Sequence, residues 1–218
     1  MEANRRGEVP SGISIGRVLA IVLLSCCAAA AQAAIPVAER QALIDLYTST
    51  NGSGWFHKTN WNGATGTECT WDGVTCDAGA TTVTRLALDY NNLAGTLPAS
   101  LADLSSLQYL SLRANDLAGS IPASLGTLAN LTEFVAYAGH LSGSIPPELG
   151  SLSSLRVLEL TENALTGSIP LQLGSLTNLQ YLALSSNQLT GPIPPALGGL
   201  TSLRSLSLFS NQLTGSIP

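Results

Sequence analysis

Few residues of this 218-residue chain are suited to covalent or acid–base chemistry, and their spacing works against catalysis. The two histidines, His57 and His140, fall in unrelated segments. Serine is abundant but recurs at repeated turn positions, so its frequency does not signal a nucleophile. Glu159 and Glu162 stand close together, with Glu133 one repeat away. Paired carboxylates are the equipment of glycoside hydrolysis, but on an open face without a pocket they do not make such a site. The glycines follow a structural period and build no phosphate-cradling loop. No pattern for a cofactor or a metal ion is present. Recognition chemistry is better represented. Tyr90, Tyr109, Tyr137 and Tyr181 share the C-terminal two thirds with Arg85, Arg113, Arg156 and Arg204, and both residue types are enriched at interface hot spots.

A 24-residue period positions these side chains. Asn91, Asn115, Asn163, Asn187 and Asn211 keep that register, and Gly139 occupies the missing step. One copy runs Leu155, Leu158, Leu160, Asn163, Leu165, Gly167, Ile169, Pro170, Leu173, Gly174, Leu176. Leucine spacing of this kind at this period is the signature of a leucine-rich repeat solenoid. The expected fold is an α/β repeat solenoid, a right-handed superhelix with a parallel β-sheet on its concave face. Within Leu179 to Asn187, Leu182 and Leu184 alternate with Tyr181, Ala183 and Ser185, which is the period of a half-buried strand. The asparagines are expected to form a buried hydrogen-bond ladder, and the glycines to permit tight turns. Each Ile-Pro or Leu-Pro pair favours extended backbone on the far side.

Reading the copies in columns separates scaffold from surface. The first exposed column is Arg85, Tyr109, Glu133, Val157, Tyr181 and Ser205. The second is Ala87, Ser111, Val135, Glu159, Ala183 and Ser207, and the third is Asp89, Arg113, Tyr137, Thr161, Ser185 and Phe209. Candidate ligand-binding residues on this concave face are Arg85, Asp89, Tyr109, Arg113, Glu133, Tyr137, Arg156, Glu159, Tyr181 and Phe209. The competing reading leaves them simply facing solvent. Six strands span about 24 Å, enough for a peptide, a loop of a protein or a glycan. In the third repeat Phe134 and Ala136 replace leucines and exchange volume within the core, while Gly139 breaks the asparagine column beside His140.

The formal net charge of −5, with a single lysine (Lys58), excludes a basic stripe for nucleic acid. At the N-terminus, Arg5, Arg6 and Arg17 precede the apolar run Val18 to Leu24 and the small-x-small site Ala31-Gln32-Ala33. Residues 1–33 therefore read as a secretory signal peptide, with lipid anchoring at Cys26 as the alternative, and the mature chain carries no membrane span. The expected location is secreted, periplasmic or on the cell surface. Cys69 and Cys76 remain, and in an oxidising compartment a disulfide is the default reading. A metal pair is the rival, but no further ligand lies at suitable spacing.

Residues 34–82 lack the repeat. Pro36 suits the first turn of a helix, Leu43, Leu46 and Tyr47 form a short apolar stripe, and Asn51-Gly52 ends it. Trp55, Phe56, Trp61 and Trp71 follow, and core packing of a cap over the solenoid end is their expected role. Glu39-Arg40-Gln41-Ala42-Leu43, Trp61-Asn62 and Cys69-Thr70-Trp71-Asp72-Gly73-Val74-Thr75-Cys76 resemble the N-terminal cap of plant-type leucine-rich repeat proteins. Val83, Leu86 and Leu88 then enter the first repeat as in that family. The resemblance covers residues 36–218, and residues 83–218 hold six repeats, the last incomplete. It implies the company of receptor ectodomains, polygalacturonase-inhibiting proteins and bacterial secreted relatives.

Two functions follow as expectations. One is a secreted, non-catalytic module binding a protein, peptide or glycan through the concave face. The other is a structural or adhesive surface protein, or the ectodomain fragment of a longer receptor or multidomain protein. The unfinished sixth repeat supports an expectation that the chain is a fragment. Asn51 and Asn130 begin glycosylation sequons, which matter only in a eukaryotic host.

Overall fold

In each repeat two apolar residues, leucines in all but the third, flank one residue of the opposite face, and stacking these short segments side by side pairs their backbones while burying one face. The computed structural model describes residues 34–218. The signal-peptide reading of residues 1–33 and the anchor at Cys26 lie outside the described residues. Seven strands form the long sheet in the order Val74–Cys76, Val83–Ala87, Tyr109–Ser111, Glu133–Val135, Val157–Glu159, Tyr181–Ala183 and Ser205–Ser207. The first is antiparallel to the second, and all later pairs are parallel. The leucines at the expected core positions are buried from Leu86 to Leu200, each contributing roughly 1.5–3 kcal/mol. Phe134 and Ala136 of the divergent third repeat are buried with them.

The far side is extended and then tightly turned. A second sheet joins Ser142–Ser144, Ala164–Ser168, Gln188–Pro192 and Gln212–Thr214 in parallel, and Ala94–Thr96 pairs with Asp116–Ala118. After Pro98, Pro122, Pro146, Pro170 and Pro194, all extended, the backbone makes a five-residue 3₁₀ turn. Gly167 and Gly191 have φ of 75° and 74°, as tight turns demand. A different glycine column works by closeness. A Cβ on Gly126, Gly150 or Gly174 would collide with the backbone of Glu148, Gln172 or Ala196 in the next repeat.

The asparagine ladder is present, with Asn91, Asn115 and Asn187 buried and Asn163 and Asn211 half-buried. Asn187 Nδ2 donates to the carbonyls of Leu160 (2.9 Å), Leu184 (3.1 Å) and Ser185 (3.1 Å), and its Oδ1 accepts the Leu165 N–H (3.0 Å). Asn115 bridges to Leu88 in the same way and accepts N–H groups from Asn91 and Leu93. At the gap, the Gly139 N–H donates to the Glu162 carbonyl (3.0 Å), and Asn163 resumes the column by accepting the Leu141 N–H.

The cap is helix Val37–Ser49, with Pro36 just ahead of it, followed by an aromatic cluster. Trp55, Trp61 and Trp71 are buried, with successive ring centroids 4.8 and 5.1 Å apart. Their indole N–H groups reach the Thr50 and Asp72 carbonyls and the Thr67 hydroxyl. Phe56 departs from the expected core role: it is 71% exposed. Its neighbour Trp55 takes the inward position, and successive side chains on an extended backbone point to opposite sides. Buried Glu39 accepts the Val83 N–H at 2.7 Å and so fastens the helix to the first repeat. Buried Glu68 pairs with Arg40, whose guanidinium lies 5.2 Å from the Trp71 ring. Cys69 and Cys76 form a disulfide, with Cα atoms 5.5 Å apart. Beyond it, backbone N–H groups of Thr81 and Thr82 hold the Asp77 carboxyl below its ordinary pKa.

Asn187→Ala is expected to lower unfolding stability by roughly 2–4 kcal/mol in chemical denaturation, since it leaves buried backbone groups unpaired. A loss under about 0.5 kcal/mol would show that the ladder does not hold the stack. Because the folded Asp77 pKa is depressed, the carboxylate's contribution is complete above the unfolded-chain value and is lost as pH falls through the folded value. Carbon-detected NMR titration should place the Asp77 midpoint below that of an unstructured aspartate, and Asp77→Asn should remove this part of the acid sensitivity.

Candidate functional site

The outward residues of the long sheet are set by strand register. Arg85, Tyr109, Glu133, Val157, Tyr181 and Ser205 are successive pairing partners and so form one row across the sheet. Within it the Arg85 guanidinium lies 3.4 Å from the Tyr109 ring centroid, a cation–π contact that orients both side chains. Arg85, Arg156, Tyr181 and Phe209 are exposed, while Tyr109, Glu133 and Glu159 are half-buried. The face therefore presents aromatic, cationic and acidic groups side by side.

The second and third rows are more enclosed than their alternation suggests. Ser111, Val135 and Ser185 are buried, where full exposure was expected. Ser111 donates its hydroxyl to Asp89, and Ser185 shares a 2.6 Å hydrogen bond with Ser207. Asp89 Oδ1 also accepts the Arg113 N–H at 2.9 Å, so part of this carboxylate ties one repeat to the next. Asp89, Arg113 and Tyr137 are half-buried. Small residues in these rows are covered because their neighbours bond across the strands, which depends on tertiary pairing rather than on residue type.

Glu133 and Glu159 lie on paired strands of the long sheet and Glu162 in the turn that follows, and none of the three lines the hollows described next. One, of about 240 Å³, lies where the cap meets the first repeat, lined by His57, Asp72 and Asp89 among others. A second, of about 800 Å³, is an apolar groove on the second sheet around Ile145, Ile169, Pro170, Leu171 and Pro192. A third, of about 400 Å³, is bounded by Phe56 and Tyr90. Column reading missed Phe56 because it belongs to no repeat. His140 pairs with Asp116 (2.7 Å) on the exposed rim and approaches no nucleophile. Among the described residues no group of three His, Cys, Asp or Glu side chains is placed to hold a metal ion, and no helix is long and apolar enough to cross a membrane.

Comparison with known proteins places this geometry in a family. Residues 37–77 match the leucine rich repeat N-terminal domain, and residues 106–128 and 153–213 match leucine rich repeats. Among solved structures, a chain of the BIR3–SERK2 complex from Arabidopsis thaliana is 33% identical, with a TM-score of 0.67. The match covers 80% of this chain and 94% of that one. A chain of the Arabidopsis receptor kinase HAESA in complex with the peptide hormone IDA and the co-receptor SERK1 is 32% identical (TM-score 0.73), covering 82% of this chain and 30% of that one. A plant ice-binding protein is 31% identical (TM-score 0.71), covering 82% and 57%. The chain spans less than a third of the longest of these relatives. With these matches over its cap and its repeats, the chain belongs to the leucine-rich repeat family, with that family's plant-type N-terminal domain.

Proposed function

We propose that this protein is an extracellular, non-catalytic recognition module whose ligand, a peptide or an exposed loop of a protein, lies across the open face of the long sheet. The observation that carries this reading is the register row Arg85–Tyr109–Glu133–Val157–Tyr181, in which cationic, aromatic and acidic side chains alternate on fixed backbone. Strand pairing holds their backbones, so little conformational freedom is lost on binding. Tyr and Arg contacts of this kind concentrate binding energy in few residues. Arg113, Tyr137, Arg156, Glu159 and Phe209 extend the same face, and Asp89 contributes through whatever its bonds to Ser111 and Arg113 leave open. The likeness to receptor ectodomains solved with a peptide hormone or a co-receptor supports the same ligand class. A glycan is the remaining ligand class for this face.

A second reading is favoured by the other sheet. Thr166, Ser168, Thr190 and Thr214 are exposed on parallel strands that carry no charged residue. Across the pairing Ser168 stands opposite Thr190, while Thr166 faces Gln188 and Thr214 faces Pro192, so the surface is uncharged and hydroxyl-rich, and one relative of similar sequence is an ice-binding protein. On this reading the second sheet adsorbs to ice.

Peptides selected on the wild-type protein from a random displayed library should lose at least about tenfold in affinity on the Tyr109→Ala/Tyr137→Ala/Tyr181→Ala variant, with circular dichroism unchanged. Selection of no binder, or affinity that survives the triple substitution, would overturn the concave-face reading. For the second reading, ice recrystallisation inhibition should appear in the wild type and fall in Thr166→Lys/Thr190→Lys; no inhibition by the wild type removes it.

A further inference from the structure

The geometry points to a saccharide-binding cleft where a cap loop meets the turns of the first three repeats, in which Phe56 and Tyr90 clasp a pyranose ring. Phe56 and Tyr90 are 71% and 62% exposed, yet they line one cleft of about 400 Å³ together with Asn92, Ala114, Asn115, Asp116 and Ala138. This goes beyond the proposed ligand site, because the cleft uses the residues flanking the ladder asparagines and a cap loop rather than the outward rows of the long sheet.

Both aromatic side chains are carried on backbone that is already tied down. The Phe56 N–H donates to the Asn91 carbonyl at 3.3 Å, and the Tyr90 N–H donates to the Arg113 carbonyl at 2.8 Å. The loop bearing Phe56 is further fastened by Asn92 Nδ2, which donates to the Gly54 carbonyl at 2.9 Å. Tyr90 sits at φ 53°, as do the equivalent Ala114 (52°) and Ala138 (55°), so this conformation belongs to the repeat and is not a strain peculiar to the cleft. What is peculiar is the choice of side chains. The position holds tyrosine in the first repeat and alanine in the next two, which leaves a recess beside the ring. In the fourth repeat it holds Glu162.

The polar groups select the ligand class. Asp116 Oδ1 pairs with His140, and among the described residues neither Asp116 Oδ2 nor Asn92 Oδ1 has a hydrogen-bond partner. An apolar ligand would strip water from these exposed acceptors without replacing it, and an anionic ligand would meet the Asp116 carboxylate. A neutral pyranose offers hydroxyl donors along its edge and an apolar C–H face for stacking on an aromatic ring, which matches both halves of the cleft. The volume falls in the range of about 300–1,000 Å³ typical of small-molecule sites. The few lining residues are well short of the roughly 20–30 per side that a protein interface engages.

Titration of ¹⁵N-labelled protein with cellotetraose, xylotetraose and chitotetraose, followed by amide chemical shifts, tests this. At least one oligosaccharide should give saturable shifts centred on Asn92, Ala114, Asp116 and Ala138, with a dissociation constant of about millimolar order. Phe56→Ala and Tyr90→Ala should each weaken binding at least about tenfold. Phe56 is exposed, so Phe56→Ala should leave the spectrum otherwise folded, and Phe56→Trp should retain binding. The Tyr109→Ala/Tyr137→Ala/Tyr181→Ala variant should bind the sugar unchanged, which separates this cleft from the peptide site. Absence of shifts with all three oligosaccharides, shifts confined to the long-sheet rows, or binding that survives Phe56→Ala would overturn it. So would loss, in Phe56→Ala, of a peptide ligand with no sugar binding in the wild type, which would assign the cleft to a polypeptide.

Discussion

Every repeat leaves backbone donors and acceptors at its turn that nothing within the same repeat can satisfy, and the structure depends on the next repeat to satisfy them. Asparagine does this because its amide carries a donor pair and an acceptor on one short stem. Asn187 reaches the fourth repeat at Leu160 and Leu165 and its own repeat at Leu184 and Ser185. The leucines supply most of the burial, but burial has no direction, and it is the amide column that fixes how far each turn is displaced from the last. The glycines preceding the last leucine of each copy complete the constraint. Gly126, Gly150 and Gly174 let the next turn approach to a distance no side chain would allow.

The same constraint decides which surface is free to vary. Strand pairing consumes the backbone of the long sheet, the ladder consumes the turn, and the leucines consume the interior. What remains is one row that ranges from half-buried to exposed, two rows partly closed by their own hydrogen bonds, the second sheet, and the rims. Asp89 and Ser111 show how narrow the division is, since both face outward by alternation and yet bond to neighbouring repeats. Surface position in a solenoid does not by itself free a residue for binding.

The cap solves a different problem. The first repeat has no preceding turn to cover it, so three tryptophans, a helix and a disulfide take that place. Buried Glu39 and Glu68 are tolerated there because each is held by named partners, Glu39 by Val83 and Thr82, Glu68 by Arg40 and the Gly66 N–H. Fastening the cap in this way also brings the Phe56 loop against Asn91 and Asn92, which is how an aromatic of the cap and an aromatic of the first repeat come to share a cleft.

The period in the sequence by itself determined the solenoid, the parallel sheet, the asparagine column and the row Arg85–Tyr109–Glu133, because each is a local rule repeated every 24 residues. The disulfide between Cys69 and Cys76 was legible too, with only two cysteines beyond the signal-like segment. Alternation could not tell that Ser111, Val135 and Ser185 are covered, since their cover comes from adjoining strands. Nor could composition tell Phe56 from the tryptophans beside it; all four are apolar aromatics in one short segment, and only the packed cap sends one of them outward. Exposure at a shared rim is a property of two segments docked together, each 24-residue copy is silent about it, and so the tertiary structure alone decided where Phe56 meets Tyr90.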